Sequence, residues 1–242
     1  FTTLREAITN SINIVTVKTL AQIGPSLGYD YIMDFGFTTV GIDESSNETL
    51  ALGGLTHGVT NLELTAAYAT IANNGTYIKP KFYTKILDHD GNVLLDNTTS
   101  TSHTVLKETT AWLLTDAMED VMTQGTGTPA YFGNSMAQAG KSGTTTKNRD
   151  ALFAGFTPYY TCAVWAGYDT NEFLEDDCKS FHKTLWKKVM SRIHEDLPYV
   201  DFEMPSTVKE ATICTSSGLL AGSGCPTRTE YFETSTIPTV RC

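Results

Sequence analysis

The chain has 242 residues, enough for one large domain or a domain with an appendage. Hydrophobic residues make up 40% and charged residues 18%, the balance of an ordinary globular protein. A net charge of −10 argues against nucleic acid or an anionic membrane surface as the main partner, and no apolar run reaches the length of a membrane span.

In chain order, Phe1 to Ser11 reads as the end of a helical segment with Leu4, Ala7 and Ile8 on one face. A second helix is predicted from Asn13, with Ile14, Val17 and Ala21 as its apolar stripe, until Gly24-Pro25 stops it and opens another. The glycine-rich run Leu52 to Gly58 precedes a core helix, in which Thr60 and Glu63 have capping-box spacing and Leu64, Ala67, Tyr68 and Ile71 recur at helical period. Phe82 to Leu87 and Val93 to Leu95 form a predicted hairpin around Asp90-Gly91.

The next helix carries Leu114, Ala117, Met118, Val121 and Met122 and ends at Gly125-Thr126-Gly127. That Gly-x-Gly follows a helix and precedes Pro129, whereas a dinucleotide loop needs a strand before it and a helix after, so no nucleotide cofactor is expected. Three closely connected strands follow, Ala139 to Thr145, Ala151 to Phe156 and Thr161 to Gly167, and predict an antiparallel sheet. Lys179 to His194 is an amphipathic helix with Leu185, Trp186, Val189 and Ile193 inward, and Asp201 to Cys242 is a low-pattern tail. The order predicts an α+β fold, with helices packed against an antiparallel sheet.

The five cysteines include no Cys-x-x-Cys pair, and no His-Glu-x-x-His occurs, so no metal site is expected. Cys162, inside an apolar strand, reads as a buried free thiol. Cys214, Cys225 and Cys242 crowd the tail, where a bridge between two of them would suit an oxidising compartment.

Chemistry concentrates at Ala139-Gly140-Lys141-Ser142-Gly143-Thr144-Thr145, which sets a cation, hydroxyls and a side-chain-free position on neighbouring strand residues. Such a strand can hold a carboxylate through charge-assisted hydrogen bonds, with Gly143 admitting close approach of another chain. Ser11-x-Asn13 lies at a helix junction, and taken alone it reads as helix capping. Together, Ser11-x-Asn13 and Lys141-Ser142-Gly143 match the Ser-x-Asn and Lys-Thr/Ser-Gly motifs of serine acyl-transfer enzymes of the penicillin-binding and β-lactamase type.

The wider chain resembles the transpeptidase domain of class A penicillin-binding proteins. The matching stretches include Thr3 to Ala7, Leu52-Gly53-Gly54 with Gly58-Val59-Thr60, Leu64 to Thr70, Gly125-Thr126-Gly127, Ala139 to Thr145, and Asp150 to Pro158. The resemblance implies a serine β-lactamase-like transpeptidase fold over 1–200, as the carboxy-terminal part of that domain, with 201–242 as an extension.

It also implies acyl transfer from the D-Ala-D-Ala end of a peptidoglycan stem peptide to a serine, then to a neighbouring stem's amine, with β-lactams acylating the same serine. Ser11 would relay a proton, Asn13 would bind the substrate amide and Lys141 would hold Ser11. Ser142, Gly143, Thr144 and Thr145 would line the substrate, and the Thr144 N–H would supply half an oxyanion hole. No cofactor is implied. The location implied is the extracytoplasmic face of a bacterial membrane, reached through an amino-terminal anchor.

One element of the family pattern is missing, since its nucleophilic Ser-x-x-Lys lies upstream of Ser-x-Asn, and is expected on an upstream segment or a separate chain. The literal matches Ser180-x-x-Lys183 and Ser206-x-x-Lys209 follow the Lys-Ser-Gly strand instead, and Lys183 reads as part of a solvated helix face. A D,D-carboxypeptidase, a β-lactamase and a non-catalytic D-Ala-D-Ala-binding module would share these motifs.

Overall fold

The structure is a computed structural model that describes residues 2–170, 172–175 and 180–242. Phe1 and Lys179, included above in helical segments, lie outside the described residues.

Helices α1 (Leu4–Asn10), α2 (Asn13–Ile23) and α3 (Pro25–Asp34) open the chain, and the Thr3 hydroxyl caps α1 by accepting the N–H of Glu6. The predicted Ile14, Val17 and Ala21 stripe is not the face that α2 buries. Leu20 packs against Phe37, Val40, Leu50 and Ala67, whereas Ile14 is 64% exposed, because α2 meets the turn at Glu48–Leu52 along its Leu20 side. Helix α4 (Asn61–Ala72) starts with the complete capping box of Thr60 and Glu63 and buries Ala67 and Ile71, as its periodicity predicts.

Four short strands follow: β1 (Thr76–Ile78), β2 (Lys85–Leu87), β3 (Val93–Asp96) and β4 (Ser102–Thr104). The β2–β3 pair is the predicted hairpin, although it begins at Lys85 and leaves Phe82 outside it and 88% exposed. The β1–β4 pairing had no sequence signal, since three-residue strands carry almost no alternation.

Helix α5 (Glu108–Thr123) leads to the main sheet, in which β5 (Ala139–Thr144), β6 (Asp150–Phe156) and β7 (Thr161–Gly167) run antiparallel in that order. Phe153 and Phe156 are three residues apart on β6 and therefore point to opposite faces. Phe156 packs with Ala139, Ile71 of α4 and Met118 of α5, while Phe153 packs with Trp186 and Met190 of α6 (Phe181–Ile193). Helices thus cover both faces of the sheet, and among the described residues β5 is an open edge.

Helix α6 is rotated relative to its predicted stripe. His182, Trp186 and Met190 are buried, while Val189 and Ile193 are 41% and 44% exposed. Trp186 sets this phase: its ring meets Phe153 edge-on at 5.1 Å and its Nε1–H donates to the Cys162 carbonyl at 3.0 Å. Cys162 is a free thiol, as expected, but half-buried.

The tail from Asp201 is ordered around β8 (Val208–Cys214) and β9 (Thr227–Glu233), paired antiparallel over seven positions. It docks on α1 and α5 through Arg5, whose Nε donates to Glu230 at 2.8 Å and whose Nη1 donates to Asp120 at 3.3 Å; a further ion pair joins Arg5 to Asp116. Burial would pull the Arg5 pKa down, but the hydrogen bond and charge of Asp116, with those of Glu230, raise it. Trp112 of α5 also meets Tyr231 of β9 edge-on at 5.1 Å. Among the described residues, no helix is long and apolar enough to cross a membrane.

Candidate active site

A cleft of about 830 Å³ opens between the helices and the β5 edge. One wall is apolar, with Ile8, Phe35, Leu64, Ile71, Leu114 and Met118; the other is polar, with Ser11, Asn13, Thr126, Lys141, Ser142 and Thr144. Residues 130 positions apart therefore share one wall, as the paired motifs require.

Ser11 ends α1 in the left-handed region, with φ 56° and ψ 50°, which is a rare conformation for a residue other than glycine. Its N–H donates to Ile8 O at 3.3 Å, and the Ile12 N–H donates to Ala7 O at 2.9 Å, so the backbone turns sharply from α1 into α2. The side chain caps neither helix. Its hydroxyl instead accepts a hydrogen bond from Lys141 Nζ at 2.9 Å. Ser11 is thus the C-cap of α1 through its backbone alone, whereas Asn13 caps neither helix: it lies within the first turn of α2, and its amide makes no hydrogen bond to the described residues.

Lys141 Nζ also donates to Ser142 O at 3.0 Å. Burial, helped by the nearby charge of Lys183, lowers the Lys141 pKa to about 8. The Ser142 hydroxyl pairs with that of Thr126 at 2.8 Å. Thr126 is held by its own N–H, which donates to Thr9 O at 3.2 Å, and Gly125 beside it passes so close to α1 that a Cβ there would lie 2.3 Å from Thr9 O.

Gly143 has a different role. A Cβ there would touch only Leu152, at 3.7 Å, so packing within the chain does not demand glycine, and the position is free for close approach by a ligand. The Thr145 N–H donates to Asp150 O at 3.1 Å, so the alternation of an antiparallel ladder turns the Thr144 N–H outward to the open edge. Thr145 departs from the sequence expectation. Its hydroxyl donates to Asp150 Oδ2 at 3.1 Å and accepts the Asp150 N–H at 2.7 Å, which ties it into the β5–β6 turn and away from the cleft.

Lys183 and Thr126 are cleft residues that sequence reasoning did not assign to the site. Lys183 is half-buried and lines the cleft, with its pKa lowered by burial, and so is not on a solvated face. The rotated phase of α6 turns it there. Thr126 carried a signal in the Gly-Thr-Gly run. Neither Ser180, at the exposed start of α6, nor Ser206 lines the cleft. Two ammonium groups in a protein of net charge −10 give the cleft a local positive field suited to a carboxylate.

Fold and cleft together point to one protein family. The chain belongs to the penicillin-binding protein transpeptidase family, matching the penicillin binding protein transpeptidase domain over residues 1–191. Residues 204–242 match the C-terminal domain of penicillin-binding protein 1A. Penicillin-binding protein 1A of Clostridium botulinum is 36% identical over 247 residues, covering 99% of this chain and 30% of that protein. Its counterpart in Clostridium tetani is 37% identical over 260 residues, covering 99% and 32%. The chain thus spans about 30% of the length of the curated relatives it matches.

Among solved structures, penicillin-binding protein 1A from Haemophilus influenzae superposes with a TM-score of 0.84 at 24% identity, over 100% of this chain and 41% of that one. PonA1 from Mycobacterium tuberculosis, in complex with penicillin V, gives 0.74 at 24%, over 84% and 59%. The fold is that of the penicillin-binding transpeptidases, as the sequence resemblance implies.

Proposed function

We propose that this cleft serves a D,D-transpeptidase that cross-links peptidoglycan stem peptides, and that its nucleophile is the serine of a Ser-x-x-Lys helix covering the apolar wall. The observation that carries the reading is the 2.9 Å hydrogen bond from Lys141 to Ser11, beside an open strand edge. The serine oxygen attacks the D-Ala-D-Ala carbonyl, its proton passes through Ser11 to the departing amine, and D-Ala leaves. A second stem's amine then attacks the acyl carbonyl, the C–O bond to the serine breaks, the amine's proton returns to the serine oxygen, and the cross-link is complete.

Charged Lys141 holds the Ser11 hydroxyl in line for that relay. Asn13, whose amide makes no hydrogen bond to the described residues, binds the stem amide. Ser142 and Thr144 receive the terminal carboxylate, Gly143 gives the peptide room, and the outward Thr144 N–H stabilises the oxyanion. The division into 1–200 and 201–242 fits a catalytic part and an accessory module, and the site of action is the extracytoplasmic face of the cell membrane, where the stem peptides lie. β-Lactams acylate the same serine.

D-Ala release from a stem peptide, measured on the complete enzyme with and without an acceptor amine, tests this reading. Cross-linked product that requires the acceptor is expected. Hydrolysis alone would make the enzyme a carboxypeptidase, and reversible peptide binding with no D-Ala released would make the cleft a binding module.

The pH profile gives a second check. The Lys141 pKa of about 8 places the loss of its charge on the alkaline limb, so acylation falls as pH rises through about 8. Lys183→Met removes a like charge, raises the Lys141 pKa and moves that limb to higher pH. An unmoved limb would mean that Lys141 is not the group titrating.

A further inference from the structure

Cys214, Cys225 and Cys242 lie eleven and seventeen positions apart in sequence, yet their sulfur atoms all fall within 4.8 Å of one another. Spacing alone gave no ligand pattern; the backbone of the tail supplies the convergence. Cys214 ends β8, and its N–H donates to Leu219 O at 2.8 Å. Cys242 is brought alongside by its N–H to Leu220 O at 2.9 Å and by the Leu220 N–H to Val240 O at 3.0 Å. Gly222 allows this approach, since a Cβ there would lie 2.3 Å from Cys242 O.

We propose that these three thiols form a binding site for a zinc ion. With Zn–S bonds near 2.3 Å, tetrahedral thiolates stand about 3.8 Å apart, so the cluster closes on a metal by shifts of about 1 Å or less. The ligand set is soft, which selects zinc over calcium or magnesium. A disulfide accounts for the geometry less well, because any one pair leaves a third thiol within exchange reach.

On binding, three S–H protons pass to solvent and three Zn–S bonds form, with the fourth position left to water. The module gains a staple, which two-stranded units of this size need.

The test uses the chain reduced with a phosphine, stripped of metal and titrated with cobalt(II), then zinc(II). One equivalent of cobalt is expected to give a thiolate charge-transfer band and tetrahedral d–d bands, both bleached by one equivalent of zinc. Cys242→Ser alters an exposed residue and should leave the circular dichroism unchanged while abolishing these bands; Cys162→Ser with Cys178→Ser should keep them. Less than one equivalent bound, bands that survive Cys242→Ser, or a chain isolated with two of the three thiols bridged and resistant to metal, would overturn the site. None of these readouts depends on acyl transfer, so the site and the proposed activity stand or fall separately.

Discussion

Lys141→Ala is expected to slow acylation of the complete enzyme by a β-lactam about 10²–10³-fold, the usual effect of removing one preorganised donor from such a site. The side chain lies on an open cleft wall, and its hydrogen bonds go to Ser11 Oγ and Ser142 O, so the fold should survive. Ser11→Ala should lower the rate similarly, and the double variant should be little slower than either single one, because the two groups act as a unit. Lys141→Arg should rescue poorly, since a planar fork does not fit the place of a compact ammonium between these two oxygens. Rates of labelling by a fluorescent penicillin, with circular dichroism as the folding control, check all four variants. Additive losses would mean that Lys141 and Ser11 work independently.

Arg5→Ala is expected to destabilise the protein by about 3–5 kcal/mol, because it leaves half-buried carboxylates facing one another without their cation. The side chains of Asp116, Asp120 and Glu230 are 16%, 18% and 13% exposed, so water compensates little. Arg228 offers partial relief, donating to Asp120 at 2.6 Å, but it is 43% exposed. At this chain length the loss corresponds to about 6–20 °C in Tm. Arg5→Lys should recover only part of it, since a single ammonium cannot reproduce contacts made from Nε, Nη1 and Nη2 at once. A thermal melt reads the effect directly; a loss under about 1 kcal/mol, as for a surface pair, would mean that the tail docks by other contacts.

Much of the architecture was legible where local chemistry agrees with the fold. The Thr60 and Glu63 capping box, the Gly24-Pro25 break, the Asp90-Gly91 hairpin and the three apolar strands each act within a few residues, so sequence carries them. The cleft was legible because two short motifs, Ser11-x-Asn13 and Lys141-Ser142-Gly143, converge on it. What stayed hidden depends on partners far along the chain. Trp186 fixes the rotation of α6 by reaching Phe153 and Cys162, and only that rotation turns Lys183 into the cleft. Thr145 looked like a continuation of the binding strand until Asp150 claimed its hydroxyl. The left-handed backbone of Ser11 and the meeting of Cys214, Cys225 and Cys242 likewise arise from tertiary geometry, for which residue spacing is no guide.

The central claim, that these residues serve a serine on a helix seated against the apolar wall, is tested most directly by mapping the acylated residue. The complete enzyme is treated with a penicillin, digested and sequenced by tandem mass spectrometry. A single adduct is predicted on the serine of a Ser-x-x-Lys motif outside residues 1–242, forming slowly in Lys141→Ala. An adduct on Ser180, or on any other serine of this chain, would contradict the account.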